Sequence, residues 1–442
     1  MSPSVAELLA SYQQVRAQSE ALCAPLAVED YGVQPMDDAS PPKWHLAHTS
    51  WFFETFLLRP MLAGYRPFDA QFEYLFNSYY NGVGAQFPRT RRGHLSRPTV
   101  AQVYAYRAHV DAAMQTLLEQ SLVSSEPDGE LLQRLVLGLH HEQQHQELML
   151  TDLKYAFGHN PLFPNYCPAI ETAPKTSGLT ASDKLNFVSC PGGIVSVGAD
   201  STGFCFDNEL PRHEVLLAPY ALANRPVSNG EYRRFIADGG YQRPELWLSN
   251  AWTTVCEQAW KAPLYWHKRG GEDFEYRLDG LHKLDDARAV MHVSYYEADA
   301  YARWAGARLP TEFEWEAAAT SGQSTEGSAA NAACNFVESK QFHSRPAGQG
   351  PSQGPFEQLF GDVWEWTQSS YGPYPGYRPL PGTLGEYNGK FMSEQLVLRG
   401  GSCFTPADHL RASYRNFFYP PDRWQASGIR LAQDVSGTDG VR

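Results

Sequence analysis

The amino-acid sequence predicts a multi-domain protein in which a helical domain is followed by an irregular α+β domain. In residues 97–157, apolar side chains recur at three- and four-residue steps, which is typical of helices that bury one face. Residues 160–185 are rich in Pro, Ser and Thr and follow neither the helical nor the strand period. From residue 186 onward, short β-like runs such as GGIVSV alternate with Gly, Pro, Asn and Asp.

The domain boundaries follow from this change of pattern. We place a helical bundle, a linker, an α+β domain and a frayed tail at residues 1–158, 159–185, 186–435 and 436–442. The stretches NGEYRRFIADG and SYYEADAYARWAG, the second followed by LPTEFEWEAAA, predict helices inside the second domain. Because this domain shows little regular repetition, we expect loops and buried aromatic side chains to hold it together.

Charge and hydropathy exclude whole classes of partner. The chain has 36 Lys and Arg residues against 49 Asp and Glu residues, a formal charge of -13 at pH 7, so it repels polyanions such as nucleic acids. It has no run of about 18 apolar residues and no basic N-terminal stretch followed by an apolar one. We therefore expect neither a nucleic-acid nor a membrane partner. Seven scattered cysteines without a CxxC pair fit a reducing cytoplasm.

A pair of histidines in the helical domain has the spacing of metal ligands. In GLHHEQQHQELML, His141 and His145 are four residues apart on a helical pattern, so both imidazoles leave one face of the helix. His140 has no such partner, because Gln144 lies four residues beyond it. The spacing therefore predicts that His141 and His145 bind one metal ion.

A third ligand is available from another predicted helix of the same domain. The segment PPKWHLAHTSWFFE predicts a helix that starts after Pro42 and carries His45 and His48. Bundles build metal sites from side chains that project inward on facing helices. The spacing leaves both His45 and His48 open as candidates. Three imidazoles on one side of a metal leave positions for substrates and O₂.

The same histidine pair is also compatible with a zinc protease, because Glu142 follows the first histidine as it does in that motif. A zinc protease needs this glutamate as its general base. For an oxygenase we expect Glu142 to be a helix-surface or outer-shell residue, and we expect Glu142→Gln to be tolerated.

Longer motifs occur along nearly the whole chain. In the helical domain they are WHLAHTSWFFE, LFNSYYNGVGAQFPRTRRG and HHEQQHQELML. In the second domain they are FDNELPRHEV, RPVSNGEYRRFI, HVSYYEADAYARWAGARLPTEFEWE, GDVWEWTQSSYGPYPGY, VLRGGSCF and YRNFFYPPDRWQASGIRLA. In this order the motifs resemble the iron-dependent sulfoxide synthases of ergothioneine biosynthesis. These enzymes join a DinB-like four-helix bundle to a domain like formylglycine-generating enzyme, which has a C-type-lectin-like fold.

The resemblance implies that His48, His141 and His145 bind Fe(II). Members of this family join the sulfur of cysteine, or of a cysteine-containing peptide, to the imidazole ring of hercynine with O₂ and form a sulfoxide. The implied partners are therefore small molecules: hercynine, a thiol or a related selenol donor, and O₂. A soft thiolate and an open redox metal suit this chemistry better than zinc does.

Hercynine carries a fixed trimethylammonium charge, which aromatic faces recognise well. By resemblance, Asn416 binds the hercynine carboxylate, Phe417 packs on the trimethylammonium group, and Phe418 lies beside them. Gln144, next to His145, is placed to hydrogen-bond a substrate near the iron.

The thiol substrate has a carboxylate, and PRTRRG contains the planar guanidinium groups of Arg89, Arg91 and Arg92, which bind carboxylates in bidentate fashion. The resemblance favours Arg89 and Arg92. In the branch that uses γ-glutamylcysteine we expect an acidic residue directly after the asparagine–aromatic pair, where this chain has Phe418. Free cysteine is therefore the favoured donor, and a selenosugar, as in selenoneine synthesis, is an alternative.

A tyrosine near the metal is expected to direct the chemistry toward C–S bond formation rather than thiol dioxygenation. Two places in the chain compete for this role, Tyr79 and Tyr80 in FNSYYNG, and Tyr374 or Tyr377 in GPYPGY. The resemblance to the branch with FNSYY favours Tyr79 and Tyr80.

Three other functions remain alternatives. A copper oxidase like formylglycine-generating enzyme needs a second cysteine after Cys403, and the following stretch has none. A DinB-type zinc-dependent thiol transferase would use the same three histidines but would not need the second domain. A lectin-like binding module would keep its ligand after loss of the histidines.

Overall fold

The structure is a computed structural model that describes residues 3–123, 128–168, 185–200, 203–321, 333–348 and 350–435. It divides into two compact units, one of Met1–Asn160 with Pro379–Tyr387 and the other of Pro161–Arg378 with Asn388–Arg442. Most of the predicted linker and the tail at 436–442 lie outside the described residues. Pro379–Tyr387 belongs to the first unit although it follows most of the second unit in the chain.

The first unit is helical, as the sequence predicted. Its helices are α1 Val5–Cys23, α2 Pro42–Phe53, α3 Arg59–Met61, α4 Phe72–Phe76, α5 Val100–Leu122 and α6 Gly129–Gly158. Ser4 and Thr99 begin α1 and α5 with capping boxes, which satisfy backbone N–H groups of the first turn. On α6 the apolar residues Leu131, Leu135 and Leu139 are buried along one face.

Helix α2 lies at the centre of the first unit, since all its residues are buried. It begins at Pro42, because the fixed φ and missing N–H of proline suit the first helical position. A π-helical turn, Glu54–Leu58, continues α2 into α3. The buried Glu54 carboxylate accepts hydrogen bonds from the hydroxyls of Tyr65 and Tyr106 at 2.6 and 2.8 Å. These bonds connect the end of α2 to α5.

The second unit combines helices with short strands. Its helices are α7 Asn229–Ala237, α8 Ser249–Glu257, α9 Tyr295–Trp304 and α10 Glu312–Ser321. Its strands are β1 Phe187–Cys190, β2 Gly193–Val197, β3 His213–Leu217, β4 Tyr220–Ala223, β5 Trp266–Arg269, β6 Glu272–Arg277, β7 Gly280–Lys283, β8 Ser352–Gln353, β9 Phe356–Glu357, β10 Trp364–Ser370, β11 Leu396–Arg399, β12 Asn416–Phe418, β13 Ser427–Gly428 and β14 Ala432–Asp434.

These strands form small sheets in place of one large sheet. The two central ones have the orders β1-β4-β14 and β12-β11-β10-β13, and β5-β6-β7 forms a further meander. The strand pairs are antiparallel except for β10 with β13. The sequence predicted α7, α9 and α10 but not α8, which contains Trp252, Thr253, Thr254 and Val255, residue types that favour strands.

Buried ion pairs hold the second unit together between its short strands. Arg399 of β11 is fully buried and donates hydrogen bonds to Glu312 and Glu316 of α10, both at 2.9 Å. Arg430 is also fully buried and pairs with Glu365 of β10 at 2.8 Å. Because a buried charge is costly without a partner, these pairs fix α10 and the neighbouring strands in one arrangement.

Membrane-spanning helices and disulfide bonds were the two further features considered from composition. Among the described residues, no helix has the length and apolar character needed to cross a bilayer. All seven cysteines lie in the described part of the chain, and none forms a disulfide.

A buried charge network joins α1, α2, α5 and α6. Glu142 of α6 is 1% exposed and accepts hydrogen bonds from Arg16 of α1 at 2.9 Å and from Arg107 of α5 at 3.1 Å. The same guanidinium groups reach α2, where Arg16 donates to Ser50 at 2.8 Å and Arg107 to Thr49 at 3.2 Å. One carboxylate therefore connects the helices of the bundle through two arginines.

Of the two places expected for Glu142, the helix surface is wrong, because the side chain is 1% exposed. Its buried contacts also overturn the expectation that Glu142→Gln is tolerated. Burial alone would raise the pKa of Glu142, but Arg16 and Arg107 hold it below its usual value near 4.5. Ser19 donates a further hydrogen bond to this carboxylate at 2.6 Å. Because donors occupy both of its oxygens and its pKa is lowered, this carboxylate is a weak proton acceptor, unlike the general base that a zinc protease requires.

We predict that Glu142→Gln destabilises the first unit by about 3 kcal/mol, because it removes the buried carboxylate that Arg16 and Arg107 share and leaves them only the more exposed Asp111 and Glu20. The folded pKa of Glu142 lies below that of the unfolded chain. Its stabilisation is therefore present above about pH 4.3 and is lost as the pH falls through the folded pKa. Urea denaturation of wild type and variant between pH 3 and pH 7 measures both effects.

The matched control is Glu130→Gln on the same helix, whose side chain is exposed and pairs with Arg134 one turn away. An exposed pair of this kind contributes only about 0.3–0.5 kcal/mol. Equal losses of stability in the two variants would contradict a central role for the buried network.

Candidate metal centre

Three histidines of the first unit converge on one point. Helix α2 carries His48, and α6 carries His141 and His145. One ring nitrogen from each lies within 4.8 Å of the others, an arrangement able to hold a metal ion. The structure thus brings together the two histidines selected by spacing and the third selected by resemblance.

The nitrogen atoms of this group fit a metal ion. The Nε2 atoms of His48 and His141 are 3.2 Å apart. Two nitrogens bonded to one ion at about 2.1 Å, the usual length for imidazole, have this separation when they subtend roughly a right angle at the metal. The group contains no carboxylate or thiolate, so three neutral donors would bind the ion on one side and leave other positions open.

The surroundings keep the three imidazoles neutral, which is the form that binds metals. Burial lowers the pKa of His141 to about 3. Burial, and then the neighbouring histidines, hold the pKa of His48 and of His145 well below the usual value near 6.5.

The imidazole of His48 is fixed by its neighbours. Its ring is stacked between Trp44, at a centroid distance of 4.6 Å, and Trp51, at 5.5 Å. Its Nδ1 lies 2.6 Å from the carbonyl oxygen of Phe76, so Nδ1–H donates to that oxygen and Nε2 is left as the donor to a metal. The packing sets the ring plane, and the hydrogen bond sets the tautomer.

His45, the alternative third ligand, does not belong to the group. Its Nδ1 lies 2.9 Å from the Nδ1 of His145. His45 and His48 are three positions apart on α2, and this spacing places His45 against Nδ1 of His145 and His48 against Nε2 of His141.

Arg92 is a buried cation close to the histidines. Its guanidinium stacks on Trp44 at 3.4 Å from the ring centroid, and Trp44 stacks in turn on His48. It donates to the Ser40 hydroxyl at 2.8 Å, while its buried Nε has no hydrogen-bond partner in the described part of the chain. Burial, and then Arg89, act to lower the pKa of Arg92, yet a guanidinium stays protonated at neutral pH. Arg89 itself is exposed and donates to the carbonyl oxygen of Asp38.

One tyrosine beside the metal centre was missed by the sequence analysis, whereas Tyr80 contacts Trp51, which in turn stacks on His48. The Tyr387 ring lies 5.7 Å from the His141 ring, and its hydroxyl donates to the side-chain oxygen of Gln144. Tyr80 is fully buried and stacks on Tyr79 at 4.6 Å. Burial, and then the nearby Tyr79 and Tyr387 side chains, hold the pKa of Tyr80 well above 10.

No pattern in the sequence indicated Tyr387, because its contact with His141 depends on Pro379–Tyr387 being part of the first unit. This segment is held there by Glu386, whose carboxylate accepts the backbone N–H groups of Asn81 and Gly82 at 3.0 and 2.8 Å. The other tyrosines considered from the sequence, Tyr374 and Tyr377, belong to the second unit.

Within the second unit those two tyrosines bind acidic residues. The Tyr374 hydroxyl donates to Glu312 at 3.2 Å and the Tyr377 hydroxyl to Asp207 at 3.1 Å. Both hydroxyls therefore have structural partners in their own unit.

The predicted hercynine-binding residues form strand β12 of the second unit. The Phe417 ring stacks on Tyr371 at 4.0 Å, and the Asn416 side-chain oxygen accepts the backbone N–H of Phe417 at 2.9 Å. Phe418 packs edge-on against Trp424 at 5.8 Å. All three strand residues are half-buried, so each keeps part of its side chain exposed.

Comparison with known families agrees with the predicted order of domains. The profile of the DinB superfamily matches residues 11–149. The profile of the sulfatase-modifying factor enzyme 1-like domain matches residues 173–435.

Known relatives match the chain to different extents. The hercynine oxygenase of Mycolicibacterium thermoresistibile is 34% identical over 90% of this chain and 88% of its own length. That of Mycobacterium tuberculosis is 32% identical over 90% of this chain and 91% of its own. The formylglycine-generating enzyme of Streptomyces coelicolor is 30% identical, but over 57% of this chain.

We predict that His141→Ala and His145→Ala each abolish tight binding of a divalent metal, because each removes one of three nitrogen donors. The loss should exceed the ~10–100-fold that removal of an outer hydrogen-bond partner costs. Elemental analysis and chelator competition after anaerobic loading measure the stoichiometry and the affinity.

His140→Ala is the matched control, since His140 is on the same helix and outside the histidine group. It should retain one metal ion per chain. Equal metal loss in His140→Ala and His141→Ala would show that the helix, not the ligand set, had been disturbed.

Proposed function

This chain belongs to the family of the hercynine oxygenases, and on that premise we propose that it uses ferrous iron and O₂ to join a thiol to hercynine. The proposed reaction replaces the ring C–H and the thiol S–H with a C–S bond and oxidises the sulfur to a sulfoxide. One oxygen atom of O₂ becomes the sulfoxide oxygen, and the other leaves as water with the two hydrogens. The product from cysteine is a hercynylcysteine sulfoxide.

The observation that carries this proposal is the group of His48, His141 and His145. Three neutral imidazoles on one side of an ion suit iron chemistry in which substrates and O₂ share the remaining positions. When bound, ferrous iron would supply the redox chemistry that activates O₂. The chain's own residues would then bind the substrates, exclude water and hold a proton near the reacting atoms.

Arg92 is the proposed anchor for the carboxylate of the thiol substrate. A buried guanidinium is expensive unless it meets an anion, and no described carboxylate forms an ion pair with this one. Its stacking on Trp44, which also stacks on His48, places it next to the histidine group. Arg89 is exposed. We therefore propose that it adds positive charge to this site but does less than Arg92 to orient the substrate.

We retain Asn416 and Phe417 as the proposed hercynine contacts and Phe418 as a determinant of the thiol donor. The half-buried Phe417 face fits recognition of a quaternary ammonium group, which offers no N–H donor. Phe418 is apolar and packs on Trp424 where a γ-glutamyl donor would need a carboxylate for its amino group. The proposal therefore favours cysteine.

Tyr79 and Tyr80 remain the proposed catalytic tyrosines, and Tyr387 joins them as a candidate. Tyr80 is protonated at neutral pH, because its pKa lies well above 10, and it can hold a proton in a water-poor environment. Tyr387 orients Gln144, the proposed substrate-binding amide, by donating to its oxygen. The amide N–H₂ of Gln144 is then directed to act as a donor.

We predict that metal-free protein reconstituted anaerobically with Fe(II) converts hercynine and cysteine, on addition of O₂, to a coupled product that carries one extra oxygen. Mass spectrometry identifies the product, and parallel reactions use γ-glutamylcysteine and a selenosugar as donors. Protein reconstituted with zinc is the control and should give no product.

Each of the other outcomes supports a different alternative or refutes the proposal. Coupling only with γ-glutamylcysteine or the selenosugar keeps the reaction class and overturns the donor preference drawn from Phe418. Activity with zinc and without O₂ favours a thiol transferase of the DinB type. The absence of a hercynine-dependent product with every donor refutes the proposed function.

We predict that Arg92→Met raises the KM for the thiol by about 10–100-fold, because a hydrogen bond to a charged group contributes about 1.5–3 kcal/mol. Arg92→Lys should raise it less, since it keeps the charge but loses the planar geometry. The control is Arg91→Met in the same loop, whose side chain is exposed. A similar KM in wild type and Arg92→Met, measured by initial rates over a range of thiol concentrations, would refute carboxylate binding by Arg92.

A further inference from the structure

A second histidine stands behind one of the candidate ligands. His45 Nδ1 lies 2.9 Å from His145 Nδ1, and His45 Nε2 lies 3.2 Å from Asp152 Oδ2. His45 and Asp152 are 4% and 5% exposed. The same Asp152 oxygen accepts the backbone N–H of Ser40 at 2.8 Å. The three side chains form a continuous line of hydrogen bonds that ends at a ring of the metal centre.

Helix geometry explains why these residues meet. His145 and Asp152 are seven residues apart on α6, which is about two turns and places them on the same face. His45 lies on α2, three residues before His48. The two helices that carry the candidate ligands therefore also carry this line of hydrogen bonds.

The direction of each hydrogen bond follows from the chemistry of the groups. An ionised carboxylate only accepts hydrogen bonds, so His45 carries its proton on Nε2 and donates it to Asp152. The Nδ1 atom of neutral His45 then has a lone pair and must accept. His145 therefore carries its proton on Nδ1 and donates it to His45, which leaves the lone pair of His145 Nε2 for a metal.

We propose that Asp152 and His45 are positioning residues that set the tautomer and ring orientation of His145 and thereby raise the affinity of the site for its metal. Outer carboxylate–histidine pairs of this kind orient a ligating imidazole and increase its basicity. The inference rests on the metal-binding part of the proposed function and is independent of the substrate.

The other two candidate ligands show why this contact matters for His145. His48 donates its Nδ1–H to the carbonyl oxygen of Phe76, a backbone group that no substitution removes. The Nδ1 atom of His141 has no hydrogen-bond partner in the described part of the chain. Among the three candidate ligands, His145 is thus the one whose Nδ1 hydrogen bond depends on a replaceable side chain.

The test measures metal affinity and metal coordination rather than turnover. Metal-free wild type, His45→Leu, His45→Asn and Asp152→Asn are titrated anaerobically with Fe(II) and, separately, with Co(II) against a chromophoric chelator. The Co(II) ligand-field spectrum reports the coordination geometry, and far-UV circular dichroism of each metal-free protein reports its folding.

We expect His45→Leu to weaken metal binding by about 10–100-fold and to change the Co(II) spectrum, because His145 loses its acceptor. His45→Asn should recover much of the affinity, since its side-chain oxygen can accept from His145 Nδ1–H near the position of the lost nitrogen. Asp152→Asn keeps an acceptor but loses the charge, so it should fall between wild type and His45→Leu. The control is His109→Leu, because His109 of α5 contacts the carbonyl oxygen of Arg66 and no residue of the histidine group.

The outcomes distinguish this inference from the proposed function. If wild type binds neither Fe(II) nor Co(II), the proposed metal chemistry fails and the inference fails with it. If wild type binds and His45→Leu binds equally well, only the inference is overturned. Equal weakening in His45→Leu and His45→Asn would also overturn it, because a loss that an acceptor does not rescue reflects packing rather than a hydrogen bond.

Discussion

The buried carboxylate of Glu142 is the interaction on which the helical unit depends. It binds Arg16 and Arg107, and these guanidinium groups also bind Thr49 and Ser50 of α2. Thr49 directly follows His48 in the chain, and Glu142 directly follows His141. A shift of α2 along α6 would take the Thr49 and Ser50 hydroxyls away from the two guanidinium groups, and a hydrogen bond to a charged group contributes about 1.5–3 kcal/mol. The network therefore holds the two helices in the register that brings their histidines together.

The metal centre combines neutral donors with one buried cation. Burial keeps His48, His141 and His145 in the form that binds a metal, and aromatic rings fix the plane of His48. Arg92 adds a buried positive charge on which Asp152 acts electrostatically, although no described carboxylate forms an ion pair with it. Electrostatic attraction is strong where water is scarce. This charge supports the proposed binding of an anionic substrate next to the three histidines.

Much of the fold was predictable because it depends on local pattern. The capped, periodic helices α1, α5 and α6 follow from residues within a few turns of one another. Helix α8 was missed because its Thr, Val and Trp residues favour strands, and tertiary packing overrides that preference. The place of Pro379–Tyr387 in the helical unit was also unpredictable, since Glu386 binds backbone N–H groups about 300 residues earlier in the chain.

The sequence by itself determined that His141 and His145 share one face of a helix, because four residues make about one helical turn. Spacing left His45 and His48 equivalent, and resemblance, not geometry, favoured His48. Only the tertiary structure decided that His48 lies 3.2 Å from His141, that His45 meets the Nδ1 atom of His145, and that Tyr387 reaches Gln144. The physical reason is that periodicity specifies which side chains share a face of one element. Which faces then meet depends on packing and buried charge pairs that involve residues far apart in the chain.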